Sequence, residues 1–517
     1  MNGAHALLGT LQANAITTVF ANPGTSEMHF LAALDDVTGV RGVLCLFEGV
    51  ATGAADGYAR ATGRPAATLL HLGPGLANGW ANLHNARRAH VPLLNVIGDH
   101  ATYHARYDAP LQSDIAAVAG ALNGSFTRPT RADDVATATA QAIAATYGPP
   151  ARVSTLVLPA DVSWSELTAP VDPWPKAPVA HERAVDADLA EYAAERLRTT
   201  RTALYLGGGA TGAAPLNVAQ RVASSTGARV VVETFPAAMD RGRGVAHPER
   251  LIYLSEFAAS QLADLDTIVL IGATEPVGFF AYPDVPSRLV ANGCDVVDLA
   301  PPGVDAEGAL RALVDCLGSP PVTPSDGDAP VVPSGELSAL AFAQAVAATL
   351  PEGTLIADES NTSGLHLYGA TAFAAPHRLL TLTGGAIGFG LPVAVGAALG
   401  SGRRVLALEA DGSMLYTVQA LWTMAREGLD VTVVVLANRR YAILDFERRR
   451  VGAPVANASS QRLIDLDNPE IDFVSVAVGL GVPAIRVTTT DDLVEALRRS
   501  YETPGPFVIE VPLLAVL

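Results

Sequence analysis

The chain has 517 residues, 49% of them hydrophobic, and a net charge of −18 from 52 acidic and 34 basic residues. That length allows about three domains with sizeable cores, and an acidic balance with no basic stripe argues against a nucleic-acid partner. Cys45, Cys294 and Cys316 lie far apart without metal spacing, which suits a reducing, cytoplasmic setting; no signal peptide and no bilayer-spanning apolar run is visible.

Two proline-rich stretches, 165–182 and 319–335, divide the chain into segments 1–168, 183–320 and 336–517, each alternating strand and helix patterns. The prediction is an α/β fold of three doubly wound, mostly parallel-sheet domains.

The first segment opens with a strand, the turn Asn22-Pro23-Gly24-Thr25, and a helix capped by Thr25 or Ser26. Glu48 then follows the apolar run Leu44-Cys45-Leu46-Phe47 and enters a small-residue helix ending near Gly63. It is either a buried carboxyl whose ionisation is suppressed or a surface helix cap. His71 ends the next strand, ahead of Gly73-Pro74-Gly75 and a helix predicted after Asn78; it is a candidate acid–base or a structural histidine. The polar loop 98–114 carries His100 and His104 four residues apart, with no Glu between them and no third ligand to suggest zinc.

In the middle segment Gly207, Gly209 and Gly212 satisfy G-x-G-x-x-G after a strand, and Glu233 lies 21 residues on (233 − 212). That is formally a dinucleotide fingerprint. The loop 274–282, with Phe279, Phe280 and Ala281, follows another strand.

The third segment places Asp358, Glu359, Ser360 and Asn361 after a strand, and Gly384, Gly385, Gly388 and Gly390 before a helix whose opening amides suit phosphate. The strand at 405–408 ends at Ala410-Asp411-Gly412-Ser413, a helix at 418–426 stops at Gly428, and the strand at 431–436 ends at Asn438. Strand, helix, strand is a βαβ unit, so Asp411 and Asn438 project at one rim, where open α/β sheets bind ligands. A carboxylate, an amide oxygen and loop carbonyls form an all-oxygen set suited to Mg2+; the plainer alternative is a turn with an Asp helix cap. A helix over the rim, 439–450, faces it with Ile443, Leu444 and Glu447, while Arg448, Arg449 and Arg450 form a solvated face.

In register along almost the whole chain, NPGTSE, FEG, HLGPG, GGGA, GGAIGFGLP, ADGS and ANRRY resemble the thiamine-diphosphate-dependent 2-oxo acid decarboxylase and carboligase superfamily, the group of acetolactate synthase and benzoylformate decarboxylase. Its cofactor motif runs GDG, about two dozen residues, NN; Asp411 and Asn438 match at a spacing of 27 (438 − 411). Ala410 and Ala437 depart from it, at positions that supply no metal ligand in the family. The resemblance implies a pyrimidine-binding, a Rossmann-like middle and a diphosphate-binding domain in that order. Asp411, Asn438 and the carbonyl of Arg440 would bind Mg2+. Glu48 would touch a ring nitrogen of the cofactor's pyrimidine. Further contacts to thiamine diphosphate are implied for Asn22, Pro23, Gly24, Asn78, Glu359, Gly412, Ser413, Met414, Tyr441, Ala442 and Ile443, with the Gly385 carbonyl on the ring amine and Ile387 as the wedge that bends the cofactor.

His71 and Thr25 stand where benzoylformate decarboxylase handles substrate protons, and Gln112 resembles an acceptor-side Gln of acetolactate synthases. Phe279 and Phe280 occupy the region of the former's second active-site His, and Glu447 stands near its aromatic pocket wall; with Leu444 they complete the implied substrate pocket. The implied activity is non-oxidative decarboxylation of a small 2-oxo acid with carboligation as a second outcome. The alternatives are an acetolactate synthase that condenses pyruvate, and a non-catalytic nucleotide-binding protein using Gly207 to Gly212. FAD, present in the middle domain of some relatives, is not expected, because their longer Gly-Met and Asn stretches are missing. Sites between two chains imply at least a homodimer, with a homotetramer the expected assembly.

Overall fold

In the computed structural model, which describes residues 1–323, 327–454 and 456–514, apolar runs form three sheets. The expected stretch 319–335 includes residues 324–326, and the expected third segment includes 455 and 515–517, which lie outside the described residues.

The first sheet is wholly parallel. It takes β1 (Thr18–Ala21), β2 (Arg41–Leu44), β3 (Ala66–His71), β4 (Leu93–Asp99), β5 (Ser125–Thr127) and β6 (Val153–Pro159) in the order β2-β1-β3-β4-β6-β5. Its central strands are buried along their length, as helices on both faces require. The middle segment contributes β7 (Thr202–Leu206), β8 (Arg229–Val232), β9 (Ala238–Arg241), β10 (Glu249–Arg250), β11 (Thr267–Ile271) and β12 (Asp295–Ala300). Five of these make a parallel sheet ordered β10-β8-β7-β11-β12. The exception is β9, which leaves its own segment and runs antiparallel along the edge of the third sheet. That sheet combines β9 with β13 (Leu355–Glu359), β14 (His377–Thr381), β15 (Val405–Ala410), β16 (Val431–Ala437), β17 (Ala484–Arg486) and β18 (Phe507–Pro512), ordered β17-β18-β16-β15-β13-β14-β9.

The first and third sheets share one core through the helices Glu48–Thr62 and Gly390–Ser401. They approach so closely that a Cβ at Gly57 would lie 2.1 Å from the Val393 carbonyl oxygen, and one at Gly396 would lie 1.7 Å from that of Ala54. Arg60 fastens this contact. Its Nε donates to Asp56 Oδ1 at 2.7 Å, and its Nη1 reaches the carbonyls of Ala237 and Thr381, both at 2.9 Å, from the other two segments. A buried guanidinium paired with a carboxylate and bonded to two carbonyls is stable where a bare one would not be.

Some local expectations shift. The helix expected after Asn78 begins at Leu72, taking Pro74 in its first turn, where a missing N–H costs nothing. The helix expected at 418–426 appears as Asp411–Met414 and Ala420–Glu427, and Gly428 (φ 60°) ends the second. The 165–182 stretch is fastened to the first unit, with Trp174 packed where a side chain on Gly9 would be. Among the described residues no helix is long and apolar enough to cross a membrane.

Candidate active site

Parallel pairing of β15 with β16 brings Asp411 and Asn438 to one rim. Asp411 is 2% exposed; its Oδ1 accepts the Gly412 N–H at 2.9 Å and its Oδ2 the Arg439 N–H at 2.6 Å. No ion pair holds it among the described residues, and burial pushes its carboxyl above the usual range. Arg439 turns the chain through a left-handed conformation (φ 57°). Asn438 Oδ1 accepts the Arg440 N–H at 3.0 Å, keeping a lone pair, while the Arg440 side chain turns to Asp465 (3.2 Å). An uncompensated buried carboxylate beside an amide oxygen and a loop carbonyl fits a hard divalent cation. Among the described residues no three His, Cys, Asp or Glu side chains gather around a metal position. Such an ion would complete its shell with carbonyl, water and phosphate oxygens.

The glycine run before the Gly390–Ser401 helix departs from expectation. Its amides do not face open space. Glu359 Oε1 accepts from Gly388 at 2.8 Å, and its Oε2 accepts from Phe389 (2.8 Å) and Gly390 (2.7 Å). Glu359 is therefore a buried cap behind the rim, not a side chain presented to a ligand. Burial pushes its carboxyl up to about 7, and desolvation together with Glu359 itself raises neighbouring Glu409 further, as expected for two carboxyls sharing one buried site. Gly385 (φ 76°) is exposed, and Ile387 is half-buried against the shared core. Met414 is fully buried in that core, so only its backbone can reach the rim, whereas Ser413 Oγ accepts from Asn361 Nδ2 at 2.8 Å. Tyr441 packs its ring where a side chain on Gly412 would be; Ala442 is buried, Ile443 half-buried and Leu444 exposed.

On the first unit Glu48 opens its helix and is half-buried. Its Oε2 accepts from Asn78 Nδ2 at 3.0 Å, and its Oε1 lies 3.2 Å from the place of a Cβ on Gly75. The nearby turn of Asn22, Pro23 and Gly24 is half-buried, and Thr25 is exposed. His71 stands beside this turn. Its Nδ1 is 3.0 Å from Glu27 Oε2 and 3.0 Å from Ser26 Oγ. Glu27 was not singled out from sequence, although a Glu three residues after a turn glycine is a capping-box pattern; here it reaches back to the Gly24 N–H at 2.6 Å. Thr25, His71, His100, His104 and Leu111 line a cavity of about 290 Å³. His100 and His104 lie in a turn with ring centroids 5.4 Å apart. Gln112 is half-buried and its Oε1 has no partner among the described residues.

The middle unit closes the other side. Phe279 reaches to 3.1 Å from the place of a Cβ on Gly385 and stacks on Phe235 (5.6 Å) and Tyr253 (5.2 Å), while Phe280 is exposed. The expected solvated arginine face is corrected, because only Arg449 is exposed. Arg450 pairs with Glu447 (2.8 Å) and Glu256 (2.5 Å) and lies 4.5 Å over the Tyr282 ring, and Arg448 pairs with Asp445 at 2.8 Å. Glu447 is thereby turned toward arginine. The fingerprint Gly207, Gly209, Gly212 does sit between a strand and a helix, at a cleft of about 670 Å³. The helix N-terminus is already taken, since the Ala213 N–H donates at 2.9 Å to Asp240, which Arg378 holds at 2.6 Å. Glu233 packs where a Cβ on Gly207 would be, and burial pushes its carboxyl up to about 8.

Two family models match: thiamine pyrophosphate enzyme, N-terminal TPP binding domain, over residues 1–120, and thiamine pyrophosphate enzyme, C-terminal TPP binding domain, over residues 362–511. The chain is 51% identical to a Mycobacterium tuberculosis protein named for the acetolactate synthase large subunit, IlvX, over 99% of each chain. It is 29% identical to benzoylformate decarboxylase of Pseudomonas aeruginosa over 97% of each. A solved structure described as a thiamin diphosphate-dependent enzyme from Mycobacterium smegmatis superposes with a TM-score of 0.82 at 28% identity, covering 99% of both chains.

Proposed function

Because the chain belongs to the thiamine pyrophosphate enzyme family, we propose that it decarboxylates a small 2-oxo acid without net oxidation, using thiamine diphosphate and Mg2+. The product is released as an aldehyde or joined to a second carbonyl compound. When bound, thiamine diphosphate supplies the nucleophilic carbon and the electron sink.

The proposed units are 1–168 for the pyrimidine, 183–320 as a structural middle and 336–517 for the diphosphate. Asp411, Asn438 and the Arg440 carbonyl hold Mg2+, with Gly412, Ser413, the Met414 backbone, Tyr441, Ala442 and Ile443 around the phosphates. Gly385 and Ile387 orient the ring system, and Glu359 acts from behind by fixing the loop that carries them. Glu48, steadied by Asn78, holds a proton at a pyrimidine nitrogen, with Asn22, Pro23 and Gly24 alongside. His71 delivers a proton to the reacting carbon, and the Thr25 hydroxyl receives the substrate carboxylate. Gln112, Phe279, Phe280 and Leu444 exclude water from the substrate, while Glu447 spends its charge on Arg450.

The observation that carries this reading is Asp411, 2% exposed and with no ion-pair partner among the described residues. The decisive experiment incubates the protein with a panel of 2-oxo acids, thiamine diphosphate and Mg2+, and identifies the products. Carbon dioxide release that chelation abolishes supports the reading, and no release from any acid refutes it.

A second reading, condensation of pyruvate as in acetolactate synthase, is favoured by the aromatic residues of the 274–282 loop, which leave His71 without a second histidine from that side. Acetolactate instead of acetaldehyde from pyruvate would select it. No flavin is included, because Asp240 occupies the helix terminus that a pyrophosphate would need. The free cysteines support a cytoplasmic setting, and the proposed assembly is at least a homodimer, with a homotetramer expected, to be tested by light scattering.

A further inference from the structure

Glu27 is 2% exposed, yet no Lys or Arg is within its reach among the described residues. A buried carboxylate needs its lone pairs filled. It takes the Gly24 N–H on Oε2 at 2.6 Å and the Ser26 hydroxyl on Oε1 at 2.5 Å. What remains faces one group, the Nδ1 of His71, at 3.0 Å from Oε2 and 3.3 Å from Oε1. The Ser26 oxygen, 3.0 Å from the same nitrogen, has committed its proton to Glu27 and presents only lone pairs. Nδ1 is thus surrounded by acceptors and must be the protonated nitrogen. Nε2 is left as the working atom.

The backbone is shaped around this pair. A Cβ at Gly98 would lie 1.8 Å from Glu27 Oε1, and one at Gly24 would lie 2.3 Å from the His71 ring. His71 and Gly98 are neighbours across β3 and β4, so the sheet register brings ring, carboxylate and glycine together.

We propose that Glu27 is the positioning residue of this active site, holding His71 in the Nδ1–H form and stabilising its imidazolium, so that Nε2 gives a proton to the reacting carbon and regains one from water. This rests on the proposed role of His71. An orienting carboxylate behind a working imidazole is a known physical device: it sets the tautomer and supports the positive charge without itself taking the proton. Glu48, beside Gly75, and His100, His104 and Tyr103 across the cavity are the other titratable groups around His71.

The test uses full-length protein with thiamine diphosphate and Mg2+, and compares aldehyde release across pH in wild type, Glu27→Gln and Glu27→Asp. Glu27→Gln should lower kcat by about 10–100-fold with KM little changed. Its pH–rate profile should differ from that of wild type, because the carboxylate facing Nδ1 is gone. Glu27→Asp should restore part of both effects. An unchanged kcat, or a loss with an unmoved pH profile, overturns the proposal. If wild type releases no aldehyde from any 2-oxo acid, the proposed function fails, and ¹⁵N spectra of histidine-labelled protein still decide the inference. A His71 signal, identified by its absence in His71→Ala, must show Nδ1 protonated in wild type and a changed tautomer balance in Glu27→Gln. An Nε2–H form in wild type overturns it.

Discussion

Asn78 Nδ2 donates to Glu48 Oε2 at 3.0 Å, joining the first turn of the Glu48–Thr62 helix to the second turn of the Leu72–Arg88 helix. The carboxylate is held in place, and among the described residues no ion pair consumes its charge. Glu48→Gln keeps the shape and loses the exchangeable proton. It should reduce turnover by about 10²–10⁴-fold with an unchanged circular dichroism spectrum. Near-normal rates would remove Glu48 from the chemistry.

Asp411 is costly to the empty protein, because burial works against its ionised form. A cation and diphosphate should therefore stabilise the fold by mass action, by about 2.7 kcal/mol at 100-fold saturation. Added thiamine diphosphate with Mg2+ should raise the Tm of wild type and leave that of Asp411→Ala in place. Equal shifts in both would show that the cofactor binds elsewhere.

His71→Ala should separate two outcomes of one decarboxylation. Aldehyde release needs a proton at the reacting carbon and should fall by about 10²–10⁴-fold. Joining to an added aldehyde should fall much less, and equal losses in product analysis would reject His71 as the proton donor.

Glu233 gives a pH signature. Burial holds its carboxyl up at about 8 against an ordinary 4.5, so the folded chain keeps a proton that the unfolded chain releases. Its favourable contribution is complete below 4.5 and is lost as pH rises through 8. Glu233→Gln cannot ionise. Its urea midpoint should gain on wild type as pH rises from about 5 to about 8.5, and a constant difference would contradict the burial of this carboxyl.

Gly396 tests how the first and third units are joined. A side chain there meets the Ala54 carbonyl, a backbone atom that cannot rotate away. Gly396→Val should cost more than the ~1–3 kcal/mol typical of overpacking, read as a lost denaturation midpoint, whereas Gly452→Val, where a Cβ meets nothing within 4 Å, bears only the cost of its positive φ.

What could be read in advance was local. Strand, helix and strand periodicity placed Asp411 and Asn438 at one rim, because parallel pairing leaves them nowhere else. Glu48 and His71 stood at strand ends, where chemistry-bearing residues are visible against apolar runs. What stayed hidden was pairing at long range. Glu27 and His71 are 44 residues apart, Arg450 and Glu256 are 194 apart, and Asp240 reaches a helix end 27 residues upstream. Two glycine-opened helix starts looked equally ready for phosphate, yet Glu359 and Asp240 occupy them. Strand and helix periodicity does not reveal which carboxylate folds back onto which amides.

β9 makes the useful cutting points of this chain different from its apparent seams. A clone beginning at residue 336 would lack the outermost strand of its own sheet and leave the free hydrogen-bonding edge of β14 as a template for other chains. Fragments trimmed at the proline-rich stretches should precipitate or swap strands, and a middle unit transplanted from a relative must bring its own version of residues 238–241 to seal the neighbour it joins.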